Sequence, residues 1–193
     1  MVGGGRVVPE PPFHPFPYRE EDRFKSLSGE VYPILRPTVL MRARLGGHSW
    51  QFRALIDSGA PHTLFDRGTG DALHIDYSRG DAERESFKVA GEDRIAQMET
   101  VQLKIPYGDF APFEWEARVG FFLTDWNMPF AGLLGQDGFL DRWVVSFDYP
   151  HSFVIEARES FLTRIPSVGL NEEEIAKIWE SQELGWRAPP GTR

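Results

Sequence analysis

Residues 54–65 read Ala54-Leu-Ile-Asp-Ser-Gly-Ala-Pro-His-Thr-Leu-Phe65, and this segment carries most of the chemical information in the 193-residue chain. An apolar run delivers the carboxylate of Asp57 into a turn of small residues, which Pro61 then stiffens. A carboxylate placed between an apolar run and such a turn is partly desolvated, so it needs hydrogen bonds from the turn amides or a proton. The small side chains also leave space in which a substrate backbone could approach Asp57.

The sequence around this segment alternates between apolar and polar residues, which is typical of β-strands. Residues 39–45 and 50–56 alternate on either side of Gly46-Gly47, and two glycines suit the tight turn of a β-hairpin. Further short β-branched or aromatic runs follow at 101–105, 115–119, 143–147 and 153–155. Short strands with turn residues between them, and almost no helical periodicity, predict an all-β barrel or sandwich.

A second turn later in the chain repeats the pattern of the first. Two aliphatic residues again stand directly before a turn, in Gly132-Leu-Leu-Gly-Gln-Asp137. The two signatures, in order, are Asp57-Ser-Gly-Ala60 and Leu133-Leu134-Gly135. Together they resemble the signatures of retropepsin-like aspartic proteases, with a stretch after Leu134 that is closer in character to bacterial members. The resemblance covers residues 35–158 and implies an acid-protease closed barrel with a flap hairpin and a short helix after Gly135.

In the family that the chain resembles, the enzyme is a homodimer and each copy supplies one catalytic aspartate. The resemblance therefore implies that two copies of Asp57 meet across a two-fold axis and share one proton, because two carboxylates a few Å apart do not both ionise readily. It implies hydrolysis of a peptide bond by a water that this pair activates, without a cofactor. It also implies that Ser58, Gly59 and Ala60 form the scaffold of the site.

The resemblance further implies a flap, a β-hairpin between the two signatures that closes over the substrate. Residues 87–94 are the best candidate, with Val89, Ala90 and Gly91 near the tip. Two positions depart from the retroviral pattern, since Pro61 replaces a second acidic residue and Gln136 replaces an arginine. In the retroviral pattern the two replaced residues form a salt bridge. Because both are absent here, neither leaves an unpaired charge. The support that they give near the substrate is also absent, so the resemblance does not imply the substrate specificity.

Composition limits the other classes of function. The net charge of −8 and the pI of about 5.2 argue against general binding to nucleic acid or to an anionic membrane. The absence of cysteine excludes disulfides, thiolate metal sites and a cysteine nucleophile. No apolar run is long enough for a signal peptide or a membrane span. We therefore expect a soluble cytoplasmic protein whose partners are a second copy of itself and a peptide or protein substrate.

The histidines do not follow the spacing of a metal site. His62 with Asp66, or His74 with Asp76, could hold a metal on paper. Histidines in turns beside acidic residues are commoner than metal sites, so we expect no metal.

Three segments follow from the composition along the chain. Residues 1–28 are proline-rich and carry a run of charges, which predicts an extended or mobile tail. Residues 29–165 form the expected protease domain, and residues 166–193 a C-terminal helical tail. In that tail Asn171 is a good N-cap, and Glu174 stands where it could reach back to Asn171.

The same residues also allow other interpretations. Taken alone, Asp57 could be a turn carboxylate that caps its own backbone amides. Ser58 could be a nucleophile, but neither a nucleophile-elbow glycine nor a placed histidine base accompanies it. The resemblance implies an aspartic endopeptidase. The alternative is a catalytically inactive peptide-binding or dimerisation module of the same fold, and a structural β-domain is a third class.

Overall fold

The computed structural model describes residues 13–89, 91–107, 110–126, 128–164, 173 and 177. The chain divides into two compact units, Met1–Ala157 and Arg158–Arg193. The strands in the described residues are β1 (Phe13–Pro17), β2 (Arg19–Lys25), β3 (Val31–Arg36), β4 (Thr38–Leu45), β5 (His48–Ile56), β6 (Leu64–Phe65), β7 (Arg84–Val89), β8 (Glu92–Tyr107), β9 (Phe110–Phe122), β10 (Gly132–Leu134), β11 (Trp143–Asp148) and β12 (Ser152–Ala157). The helices there are α1 (Arg67–Ala72) in the first unit and α2 (Arg158–Arg164) in the second.

Six strands of the first unit close into a barrel. Their hydrogen-bonded order is β4-β5-β10-β6-β9-β8, and β8 pairs with β4 to complete the ring. Strand β7 extends the sheet beyond β8, and two smaller sheets have the orders β1-β12-β11 and β2-β3. The predicted all-β closed barrel is confirmed.

The hairpin of β4 and β5 shows how the sequence alternation produces the barrel wall. Leu45 lies opposite His48 across a two-residue turn, in which Gly46 has a φ of 56°. Met41 and Ala43 are fully buried and face the core, whereas the residues between and after them are exposed. This period of two is the one that the sequence predicts. The other four predicted strands lie within β8, β9, β11 and β12.

The two similar turns of the sequence lie side by side in the barrel. Strands β5 and β10 run parallel, with Leu55 opposite Leu133 and Ile56 opposite Leu134. Parallel strands end at the same edge of a sheet, so the turn that holds Asp57 and the turn that holds Gly135 emerge together. The similarity between the two segments therefore has a structural consequence, because it brings both signatures to one place.

Two clusters of buried side chains form the core of the first unit. The larger one fills the barrel and includes Met41, Phe65, Leu103, Phe121 and Phe139. The smaller cluster lies beneath the turn of Asp57 and combines residues of β5, β6, β7, β9 and β10, with Leu55, Leu64, Phe87, Phe122 and Leu133 among its members. Burial of such large apolar side chains contributes about 1.5–3 kcal/mol each, which fixes the strands that carry the turn.

The short helix is not where the resemblance implies. Residues 135–142 form successive turns rather than a helix after Gly135. Gly138 has a φ of 87°, which is outside the helical region, and its carbonyl oxygen accepts a hydrogen bond from Trp115 Nε1 at 2.8 Å. The short helix of the first unit is α1, which follows the N-cap Asp66, whose Oδ1 accepts from the Thr69 amide.

The predicted N-terminal tail contains β1 and β2. Strand β1 pairs with β12, and the ring of Phe16 stacks on that of Phe153 at 5.5 Å. Pro15 and Pro17 are tolerated because β1 is an edge strand, where a missing amide donor costs little. The predicted domain boundaries themselves stay predictions.

In the second unit, Glu173 and Lys177 are helical and form an i, i+4 ion pair of 2.7 Å. Asn171, Glu174 and most of the predicted C-terminal helix lie outside the described residues. Within the described ranges, neither helix has the length and hydropathy that crossing a bilayer requires.

Candidate active site

Asp57 directly follows β5, and its amide, its carbonyl oxygen and its carboxylate all form hydrogen bonds. Its amide donates to Leu134 O at 3.0 Å, and its carbonyl oxygen accepts from the Ala60 amide at 3.2 Å. Its carboxylate Oδ1 accepts from the Gly59 amide at 2.9 Å, and the residue is half-buried. The Gly59 amide therefore supplies one of the hydrogen bonds that the partly desolvated carboxylate needs, and this bond orients the carboxylate.

The second turn clamps the first through backbone hydrogen bonds. The Gln136 amide donates to Ala60 O at 2.9 Å, and the Asp137 amide donates to Pro61 O at 3.0 Å. Gly135 is enclosed by the backbone of the first turn. A Cβ added to Gly135 would lie 2.7 Å from Ala60 O, and the carbonyl group of His62 would be closer still. The approach of the two turns therefore requires glycine at 135.

Thr63 is a site residue that the sequence analysis does not identify. It is fully buried, and its Oγ1 accepts a hydrogen bond from the Gly135 amide at 3.2 Å. Its backbone amide donates to Asp137 O at 3.0 Å, and its carbonyl oxygen accepts from the Gly120 amide at 3.1 Å. Thr63 thus joins the two turns to strand β9. The only signal in the sequence is a polar residue directly before the apolar pair Leu64-Phe65.

Gln136 takes a different role from the arginine that it replaces. Its Nε2 donates to Ser58 O at 2.9 Å, so a neutral hydrogen bond to the backbone holds the turn. His62, which the sequence analysis considers only as a metal ligand, lies 3.2 Å from Asp137 Oδ2 through Nδ1. Its ring also meets the ring of Phe87 edge-on at 5.4 Å, which connects the turn to β7.

Strands β7 and β8 form a hairpin at the position predicted for the flap. Val89 lies opposite Glu92, and Gly91 in the turn has a φ of 87°. Ala90 lies outside the described residues. Near the base of the hairpin, the guanidinium of Arg118 is 2.7 Å from Glu83 and 2.6 Å from Glu85. These hydrogen bonds raise the pKa of Arg118 above its ordinary value.

One cavity of about 140 Å³ brings the aspartate and the hairpin together. Its walls include Asp57, Gly59, Ala60, Phe87, Val89 and Leu133. Ser58 and Gly135, also predicted as site residues, are not in its wall. Ser58 is exposed, and Gly135 supports the turn from behind. The wall also includes Lys88, so the cavity combines the carboxylate of Asp57 with apolar side chains and one cation, and an extended chain could lie there beside an acid–base group.

The acidic residues of the two histidine pairs considered for a metal have hydrogen-bond partners of their own. Asp66 caps α1, and Asp76 accepts from the amide and hydroxyl of Ser78. The ring of His74 stacks on His48 with centroids 3.9 Å apart. Across the described ranges, three or more potential metal-ligating side chains do not converge at any point.

The chain is similar to solved structures but not to any family model or curated protein. The chain is similar to a retropepsin-like aspartic protease from Rickettsia conorii, at 15% sequence identity and a TM-score of 0.41, over 67% of this chain and 92% of that one. So distant a likeness assigns no role to any residue. The family that the sequence resembles and the bacterial character of the chain therefore stay predictions.

Proposed function

We propose that the protein is an aspartic endopeptidase in which two copies of the chain each supply Asp57 to one catalytic dyad. The observation that carries the proposal is the position of Asp57, oriented by its own turn in the wall of a cavity that the β7–β8 hairpin also lines. A turn that merely capped its own amides would not require this cavity.

The need for a second copy follows from the content of one site. The turn that lies beside Asp57 carries Gly135 at the matching position, and its acid group, Asp137, contacts His62 Nδ1 at 3.2 Å and is not in the cavity wall. Asp57 is the acidic residue in the cavity wall, among the described residues. Hydrolysis of an amide by carboxylates needs one acid group to accept a proton and another to donate one. A two-fold pairing of the chain supplies both from the same residue.

The proposed mechanism uses the two Asp57 carboxylates in different protonation states. The ionised carboxylate takes a proton from a bound water, which attacks the carbonyl carbon of the peptide. The protonated carboxylate donates its hydrogen bond to the carbonyl oxygen, and a proton then passes to the leaving amine as the C–N bond breaks. The hydrogen bond from the Gly59 amide holds each carboxylate in a fixed orientation, so little reorganisation is needed during the reaction.

The β7–β8 hairpin serves as the flap in this proposal. Phe87 and Val89 cover the cavity from one side, and an extended peptide would lie between them and the turn of Asp57. The ring contact between Phe87 and His62 connects the hairpin to that turn. Closure of the hairpin would exclude bulk water from the reacting carbonyl.

The direct test is Asp57→Asn, measured by cleavage of a peptide library. We expect cleavage to fall by at least about a hundredfold, because the amide cannot act as a general base. The unfolding temperature should change little, since the amide oxygen can still accept from Gly59. Asp81→Asn is the matched control, because Asp81 pairs with Arg79 and has an 84% exposed side chain.

The outcomes separate the two functions that the sequence allows. Cleavage by wild type and by Asp81→Asn, but not by Asp57→Asn, supports the peptidase. Cleavage that survives Asp57→Asn contradicts it. Equal peptide binding by wild type and Asp57→Asn, with no turnover by either protein, contradicts the peptidase and favours the inactive peptide-binding module.

A further inference from the structure

A group of cationic side chains lies on the outer wall of the barrel where β4 meets β8. Arg42 is directly opposite Lys104 in this ladder, and Arg44 is opposite Gln102. Met41, Ala43 and Leu103 are buried, so the alternating side chains of the same strands face outward. This surface belongs to a different part of the barrel from the turn of Asp57.

These side chains border a cavity of about 340 Å³. Arg42, Arg44 and Lys104 contribute three positive charges to its walls, and Glu114 contributes one negative charge. Ser49 and Gln102 add polar groups. The three cations form a local excess of positive charge in a chain whose net charge is −8, and Glu116 lies beside them, where it accepts a hydrogen bond from Gln102 Nε2 at 2.9 Å.

In the part of the chain that the structure describes, Arg42 and Arg44 lack the acidic partner that several other arginines have. Arg79, Arg94 and Arg118 each form an ion pair with a nearby glutamate. Among the described residues, no carboxylate lies within ion-pair distance of Arg42 or Arg44, and the only such contact of the group joins Lys104 Nζ to Glu114 Oε2 at 3.7 Å. Like charges directly opposite each other in an antiparallel ladder destabilise it, and Arg42 and Lys104 have this relation.

An anion in the cavity would remove this repulsion and satisfy the two guanidinium groups. Residues two apart on one strand are separated by about 7 Å, and directly opposite residues by about 5 Å, so the three cations surround a space that suits two adjacent anionic groups. Guanidinium groups bind phosphate oxygens through paired hydrogen bonds. We propose that this cavity, which we call the β4–β8 cavity, binds a diphosphate group.

Inorganic pyrophosphate and a nucleoside diphosphate both present this group. The cationic side chains contact only the phosphate oxygens in either case, so the chemistry is shared. The side chain of Glu114 is 57% exposed at the edge of the cavity, and its charge opposes the ligand. We therefore expect that removing the charge of Glu114 strengthens diphosphate binding, and that removing the charge of Arg42 or Arg44 weakens it.

The test is calorimetric titration of the full chain with inorganic pyrophosphate and, in a second arm, with adenosine diphosphate. Arg42→Gln and Arg44→Gln should each weaken pyrophosphate binding by about tenfold, since each removes charge-assisted hydrogen bonds. Glu114→Gln should strengthen it severalfold. Arg142→Gln is the matched control for loss of one positive charge, because Arg142 pairs with Asp141 elsewhere, and it should leave the affinity unchanged.

Pyrophosphate binding that exceeds sulfate binding at equal ionic strength, and that follows this pattern of variants, supports the proposal. Tighter binding of adenosine diphosphate than of pyrophosphate identifies a nucleotide as the source of the group, and the reverse identifies the inorganic anion. Pyrophosphate binding no tighter than sulfate binding overturns the proposal, and so does equal binding by wild type, Arg42→Gln and Arg44→Gln. None of these results depends on the activity of Asp57.

Discussion

Gly135 is the residue whose substitution should disturb the site most directly without touching its acid group. Backbone atoms of the neighbouring turn surround its Cα, and a Cβ would lie 2.7 Å from Ala60 O. We expect Gly135→Ala to lower the free energy of unfolding by about 1–3 kcal/mol, because the backbone must move to admit the methyl group. Denaturant unfolding measures this loss.

Peptide cleavage by Gly135→Ala should also fall, since the backbone that must move includes Ala60 in the turn of Asp57. Gly80→Ala is the matched control, because no atom lies within 4 Å of the Cβ that it would add. If Gly135→Ala and Gly80→Ala have the same free energy of unfolding, the two turns are not packed closely around Gly135.

At the residue scale, the sequence supplies candidates for the site but not the contacts that support them. The resemblance implies Asp57, Ser58, Gly59 and Ala60; all of these except Ser58 line the cavity, and their roles stay predictions. The hydrogen bonds that Thr63 and Gln136 make could not be predicted, because each joins segments that are far apart in the chain. Which carbonyl or amide a side chain reaches depends on how those segments pack, and an alternating pattern does not encode it.

At the scale of elements, the β7–β8 hairpin has the proposed role of a flap. Gly91 in its turn has a φ of 87°, where a β-branched residue is strained by about 1–2 kcal/mol. We expect Gly91→Val to lower kcat/KM for peptide cleavage, because a distorted tip closes less well over the substrate. Steady-state kinetics and thermal unfolding, measured together, separate this effect from a loss of folding.

Gly46→Val is the matched control for Gly91→Val. Gly46 also has a positive φ, of 56°, and it lies in the turn of the β4–β5 hairpin with open space around it. Gly46→Val should lose similar stability and keep its activity. If the two variants lose equal activity, the β7–β8 hairpin is not a flap.

The elements that the sequence predicted correctly are those with a clear period. Strands β4, β5, β8 and β9 alternate over several residues, and the predicted segments lie within them. Strand β1 was not predicted because its prolines are unfavourable in most strands, and only its place at the edge of a sheet permits them. The helix expected after Gly135 was wrong because Gly138 adopts a positive φ there and interrupts it.

At the scale of the whole molecule, the proposed activity requires a second copy of the chain. The turns of Asp57 and Gly135 lie side by side, and Gly135 stands in the second turn where Asp57 stands in the first. The acid group of the second turn, Asp137, contacts His62 and is not in the cavity wall. The alternation predicts strands that form an all-β barrel or sandwich, and the choice of a closed barrel comes from the resemblance. The homodimer also comes from the resemblance and stays a prediction, because pairing depends on surface complementarity between copies, which local patterns do not determine.

The most direct test of the dyad mixes wild-type protein with Asp57→Asn at a constant total concentration. After the copies have exchanged, peptide cleavage should fall with the square of the wild-type fraction, because a mixed dimer holds only one Asp57. At equal amounts, we expect about a quarter of the wild-type activity. Sedimentation must show that Asp57→Asn associates as wild type does. Activity of about a half at equal amounts, as independent sites would give, would contradict the proposed dyad.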